Sequence, residues 1–317
     1  MSRTLPLLSA GTILLAAAAA AAAEAPRVAA DIAPVHSLVA RVMEGAGTPD
    51  LIIPPGASPH EYSLRPSEAG ALEAADLVFW IGPDLTPWLD DAIGTLADGA
   101  EVTALLGAEG TIELETREDA LFEAHDDHHA EEDHDDHAGD AADGHDHGAH
   151  DPHAWLSVGN AVVWMDLIAG TLSAADPANA ELYAANATAA RAEIEALEAE
   201  VAETLAPVKG GRFIVFHDAY QYFEAAFDMP ASGAITLSDA TDASPARIAE
   251  IRDRIRDEGV DCVLAEPQYD PGLIATVLDG TAAETGILDP LGADIAPGPD
   301  MYPTLLRNLA GALAGCL

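Results

Sequence analysis

The sequence predicts an α/β protein: two lobes, each built on a parallel sheet, joined by one long rigid helix, with a metal site in the cleft between the lobes. Three observations carry this expectation. Short, continuously apolar segments alternate with helical patterns in both halves of the chain, as strands buried on both faces of a parallel sheet should. One helical pattern runs unbroken by glycine or proline from about Pro177 to Leu205. Isolated histidines and aspartates fall where strands end, and open parallel sheets gather ligand sites at their carboxyl ends. The 317 residues, 49% of them hydrophobic, suffice for two ordinary domains. We divide them into a leader at 1–23, an N-terminal lobe at 24–175, a linking helix at 176–206 and a C-terminal lobe at 207–317.

In chain order, Arg27–Ile32 reads as a first strand, followed by a helix with Leu38, Val39 and Val42 on one side. Leu51-Ile52-Ile53 is a second strand, stopped by Pro54-Pro55-Gly56. Ser67 is placed to cap the helix Glu68–Ala75. Leu77–Ile81 is a third strand, Leu85–Leu96 a helix, and Glu101–Leu106 a fourth strand. Val158–Leu172 is helical. In the long pattern that follows, Tyr183, Ala187, Ala190, Ile194, Leu197, Val201 and Leu205 recur at steps of three and four, which predicts a spine about 40 Å long. The alternation then resumes. Arg212–Phe216 is a strand, Tyr222, Phe223, Ala226 and Phe227 have helical spacing, and Ser244-Pro245 opens a helix to Arg256. Cys262–Ala265 is a strand, Leu273–Leu278 a helix, Gly286–Leu288 a short strand and Tyr302–Leu313 a closing helix.

The formal charge is −42, from 55 acidic against 13 basic residues, and Lys209 is the one lysine. That balance argues against nucleic acid or an anionic membrane as partner and favours attraction of cations. Arg3, the apolar Leu5–Ala23 and its A-x-A options read as a cleaved export signal; no other segment looks long and apolar enough to span a bilayer. In an exported chain the two cysteines, Cys262 and Cys316, suggest a disulfide, with two free thiols as the alternative.

Nine of the twelve histidines lie between His125 and Trp155. Residues 124–150 contain little besides His, Asp, Glu, Ala and Gly, and have too little apolar surface to fold. We read this run as a disordered collector in which His125, His128, His129, His134, His137, His145, His147 and His150 bind metal weakly. His153 differs, because Pro152, Trp155 and Leu156 return the chain to folded structure.

His60 follows the second strand, His217 ends the fifth, and Asp289 follows the last. Two facing lobes would bring His60 and His153 to His217 and Asp289. Three neutral imidazoles with an oxygen ligand, from Asp289 or water, suit Zn²⁺ in tetrahedral geometry; Mn²⁺ would call for more carboxylates. His36 and Glu61 are expected to support the ligands from behind. A three-histidine site with an open position is also a hydrolase layout, with Glu61 or Asp218 as base, although no HExxH helix is present.

Gly56–Ser67 (GASPHEYSLRPS), Phe216–Phe223 (FHDAYQYF), Ala265–Gln268 (AEPQ), Leu288–Gly292 (LDPLG), the His/Asp-rich run and the cysteine pair are together similar to the periplasmic zinc-binding receptors of ATP-driven zinc importers, the ZnuA group of the cluster A-I metal-receptor family. The resemblance spans the mature chain. It implies two α/β lobes on a long helix, high-affinity zinc binding without enzymatic chemistry, action as a periplasmic monomer, and delivery to an inner-membrane ABC permease, with a periplasmic zinc chaperone as a further partner. The three histidine ligands of that family carry over to His60, His153 and His217. Some members have a glutamate where this chain has Pro59. Manganese-binding relatives match Asp289 but have a glutamate where this chain has His217, so a Mn²⁺ or Fe²⁺ receptor of the same architecture is the alternative reading.

Overall fold

The computed structural model describes residues 25–117, 122, 150–237, 243–269 and 271–317. The expected leader at 1–23 and most of the expected collector run lie outside the described residues.

The N-terminal half forms β1 (Val28–Ala30), α1 (Ala33–Val42), β2 (Asp50–Leu51), α2 (Pro66–Ala74), β3 (Leu77–Trp80), α3 (Pro87–Leu96) and β4 (Glu101–Ala104). Its four strands are all parallel, in the order β2-β1-β3-β4, with Val28 beside Leu77 and Leu77 beside Glu101. A single 3₁₀ turn at Ala154–Leu156 leads into α4 (Val158–Ala175) and α5 (Ala180–Leu205). The second half repeats the plan with β5 (Phe213–His217), α6 (Gln221–Phe227), β6 (Gly233–Thr236), α7 (Pro245–Glu258), β7 (Cys262–Ala265), α8 (Pro271–Leu278), β8 (Glu284–Ile287) and α9 (Met301–Cys316). Its order, β6-β5-β7-β8, is the same topology, again all parallel.

Four expectations need correction. β6 was not foreseen: Gly233-Ala234-Ile235-Thr236 has one large aliphatic residue, and it becomes a strand because β5 offers it a parallel partner. The cap of α2 is Arg65, whose backbone N–H donates to Glu68 Oε2 at 2.7 Å; Ser67 lies inside the helix. Helix α5 starts at Ala180 and spans 26 residues. Finally, α4 is long and apolar enough to cross a bilayer by composition, yet Trp164, Met165, Ile168 and Leu172 are buried and it packs along α5, as a core helix does.

The seven periodic residues of α5 are the ones it buries. They face α4, α1 and α9, so the spine is packed between elements of both halves. One hydrophobic cluster runs from Val28, Phe79 and Trp164 through Leu197 to Phe213, Tyr222 and Leu306. A smaller cluster, including Ile214, Ile235, Ile251 and Val263, fills the other face of the second sheet. Because the halves share a core, moving one against the other would expose apolar surface at about 25 cal/mol per Å². Cys262 and Cys316 are joined, tying the start of β7 to the end of α9 across 54 residues.

At the carboxyl end of β1, the buried carboxylate of Asp31 accepts from the backbone N–H groups of Ile32 (2.7 Å) and Ile81 (2.8 Å). Burial outweighs these bonds and pushes its pKa from the ordinary 3.8 to about 7. The folded chain thus holds this proton more tightly than the unfolded chain does. The stability contributed by the group falls as pH rises from about 4 to about 7. Asp31→Asn should flatten that part of the pH profile of the urea-unfolding free energy; a slope equal to wild type would contradict the assignment. Cys316→Ser should lower the unfolding free energy by about 4 kcal/mol in guanidinium titrations, the chain-entropy value for a loop of this length.

Candidate metal centre

The site is assembled where β2, β5 and the turn before α4 come together. His60 sits on the loop after β2, where Trp88 Nε1 of α3 donates to the neighbouring Pro59 carbonyl at 2.8 Å and the His60 N–H donates to Ser58 Oγ at 3.3 Å. His153 precedes the 3₁₀ turn, and His217 is the last residue of β5. His153 and His217 are buried; His60 is partly exposed.

Their Nε2 atoms converge: His153 Nε2 lies 3.4 Å from His60 Nε2 and 3.4 Å from His217 Nε2. One ligand atom from each histidine lies within 4.8 Å of the others. Four ligands placed tetrahedrally at 2.0–2.1 Å from zinc stand about 3.4 Å apart, and two of the three separations here match that spacing. Behind two of the rings are buried carboxylates. His153 Nδ1 is 2.7 Å from Asp151 Oδ1, and His217 Nδ1 is 2.7 Å from Glu266 Oε1. Each Nδ1–H donates backwards, which fixes the tautomer and leaves the Nε2 lone pair facing the common point. Two lone pairs aimed at each other across 3.4 Å repel unless a cation sits between them.

The histidines border a cavity of about 10 Å³, lined also by Trp155, Tyr269, Pro290 and Leu291, with room for an ion and little else. Burial pushes Asp151 up to about 6, against the pull of the His153 backbone N–H and of Arg117. Burial likewise raises Asp218, the neighbour of His217, to about 7, against the charge of Arg117.

Asp289 does not join the described cluster. Its Oδ1 accepts from Leu291 N (3.0 Å) and Gln268 Nε2 (3.1 Å), and its Oδ2 from Ala293 N (2.6 Å), so both oxygens are engaged in shaping their own loop. That loop closes at Gly292, whose φ is +65° and where a Cβ would stand 2.6 Å from Met301 Cε. His36 does not support the site either: on α1, its buried ring bonds the Pro49 carbonyl at 3.1 Å. Glu61 is exposed. His150 is anchored by a bridge to Glu115, with its ring 3.7 Å from Glu113. His125, His128, His129, His134, His137, His145 and His147 lie outside the described residues.

Asp151 and Glu266 were missed as supports. Glu266 had a legible signal, since it follows β7 at the carboxyl edge of the same sheet whose central strand ends in His217. Asp151 was legible in its spacing, two residues before His153, where its Oδ1 also accepts the His153 backbone N–H at 3.0 Å.

Comparison with known proteins agrees with this architecture. The family described as zinc-uptake complex component A, periplasmic (ZnuA) matches residues 28–316. The chain is 47% identical over 304 residues to the high-affinity zinc uptake system protein ZnuA of Brucella abortus, covering 92% of this chain and 91% of that one. It is 46% identical over 302 residues to the protein of the same name from Paracoccus denitrificans, covering 93% of each. Among solved structures, a crystal structure of ZnuA superposes with a TM-score of 0.74 at 24% identity, over 92% of this chain and 99% of that one, which supports the fold. The chain therefore belongs to the ZnuA family of periplasmic zinc-uptake components.

Proposed function

We propose that the chain is a high-affinity periplasmic receptor that holds one Zn²⁺ on His60, His153 and His217 and passes it to an inner-membrane ABC permease. The observation that carries this reading is the pair of 3.4 Å Nε2 separations, each involving a ring held from behind by a buried carboxylate. Three neutral imidazoles favour zinc over manganese, and water completes the tetrahedron while Asp289 shapes its loop. The names of the relatives, high-affinity zinc uptake proteins, point the same way. Receptor work asks for capture and release and for no bond-making, so neither Glu61 nor Asp218 is needed as a base.

In the same reading, residues 1–23 are a leader removed on export, and 24–175 and 207–317 are the lobes flanking the linking helix 176–206. The chain works as a monomer, the histidines of the 124–150 run raise the local zinc concentration, and a periplasmic chaperone is an optional donor.

Calorimetric titration tests the assignment. Wild type should show one tight Zn²⁺ site, and deletion of Ala124 to Ala149 should keep it while removing weaker ones. His217→Ala should abolish the tight site, and equal affinity of the wild type for Mn²⁺ and Zn²⁺ would refute the choice of metal. Glu266→Gln leaves the His217 ring in place but weakens its orientation, so zinc affinity should fall about 10- to 100-fold; an unchanged affinity would remove Glu266 from the site.

A further inference from the structure

Residues 111–117 belong to neither sheet, and they bond to both halves of the molecule. On one side Trp164 Nε1 donates to Thr111 Oγ1 (2.9 Å), and Ile112 N donates to Asn160 Oδ1 (2.7 Å), both partners lying on α4. On the other side Leu114 N donates to the Tyr222 hydroxyl of α6 (2.9 Å). Arg117 then reaches the second half: its Nη1 donates to Asp218 Oδ1 (3.0 Å), and its Nη1 and Nη2 donate to the two oxygens of Glu224 (3.2 and 2.8 Å). Those carboxylates have side chains only 6% and 5% exposed. The guanidinium lies 3.9 Å from the Phe122 ring centroid, and the Phe122 carbonyl accepts from Arg254 of α7 at 2.7 Å.

This strap touches the support of His153 and the chain neighbour of His217. Asp151, behind His153, donates its N–H to the Leu114 carbonyl (2.7 Å), and its own carbonyl accepts from Tyr222 (3.0 Å). Asp218, which Arg117 grips, directly follows His217. One short segment therefore fixes His153 through its backbone and His217 through a side chain. We propose that Arg117 is a positioning residue for metal retention, setting the spacing of His153 and His217 from a strap that bridges the two halves. A planar fork is suited to this, since it bonds two carboxylates at once where an ammonium offers a point charge. The inference rests on the reading of His60, His153 and His217 as ligands.

The test uses the full chain loaded with Co²⁺, whose ligand-field absorption reports coordination geometry. Arg117→Met should release Co²⁺ to a chelator about tenfold faster than wild type, and its absorption should lose the tetrahedral intensity. Arg117→Lys, which keeps the charge and guards against a variant that fails to fold, should fall between the two. A role confined to stability would lower the melting temperature and leave spectrum and release rate unmoved. Wild-type rate and spectrum in both variants would overturn the inference while leaving the ligand assignment standing. A wild-type chain lacking a tetrahedral Co²⁺ spectrum would overturn the ligand assignment and this inference with it.

Discussion

The structure depends on one constraint: ring nitrogens from distant parts of the chain must point at a single spot and stay there. Asp151 and Glu266 accept the Nδ1–H on the far side of two rings, which holds the orientation of those rings and raises the basicity of their Nε2 atoms. These carboxylates are buried and hydrogen-bonded to backbone N–H groups as well, so their own positions are fixed. The arrangement is pre-organised, and the ordering cost of capture falls mainly on the partly exposed His60 loop.

Holding two such rings in register requires that the halves carrying them not drift. The repeated sheet order places the carboxyl ends of β2, β5 and β7 toward the same region, and the shared hydrophobic cluster fixes the halves against each other. Helix α5 acts as more than a strut, because its buried face contributes to that common core along its length. Direct bonds reinforce the arrangement close to the site: Trp155 Nε1 donates to the Pro290 carbonyl (2.8 Å), and the Tyr302 hydroxyl donates to the Trp155 carbonyl (2.9 Å). A wide hinge would break both, so the structure favours local loop movement over lobe closure as the route for the ion.

The fold was legible where periodicity was strong. The α5 register and the apolar strands β1, β3, β5 and β7 could be read because burial on one helical face, or on both faces of a strand, leaves an unambiguous pattern. Strand β6 could not, since a four-residue edge strand with a glycine and a threonine is defined by its neighbour and not by its own composition. His60 and His217 were legible because each stands at the carboxyl end of a strand, one in each sheet, and His153 because it stands where the His-rich run returns to folded structure. His36 and Asp289 occupy equally suggestive places, and their fates were decided by contacts no spacing reveals: one ring met the Pro49 carbonyl, and one carboxylate met the N–H groups of its own turn. His150 was read with the collector run on composition, though a backbone bridge to Glu115 anchors it.

In the proposed reading, charge and donor type together set the choice of metal. The chain as a whole carries −42, which attracts any cation and discriminates poorly among divalent ones. At the centre the balance is much finer. The three imidazoles offer nitrogen donors, and Asp151 and Glu266 stand behind two of the rings, across the imidazole from the converging Nε2 atoms, so that no carboxylate takes their place at the common point. Beside them Arg117 pairs with both Asp218 and Glu224. A hard ion that prefers oxygen therefore meets nitrogen, while a borderline ion meets its preferred donors with its charge already balanced. In the proposed reading the acidic composition attracts cations and the three imidazoles decide which one is held.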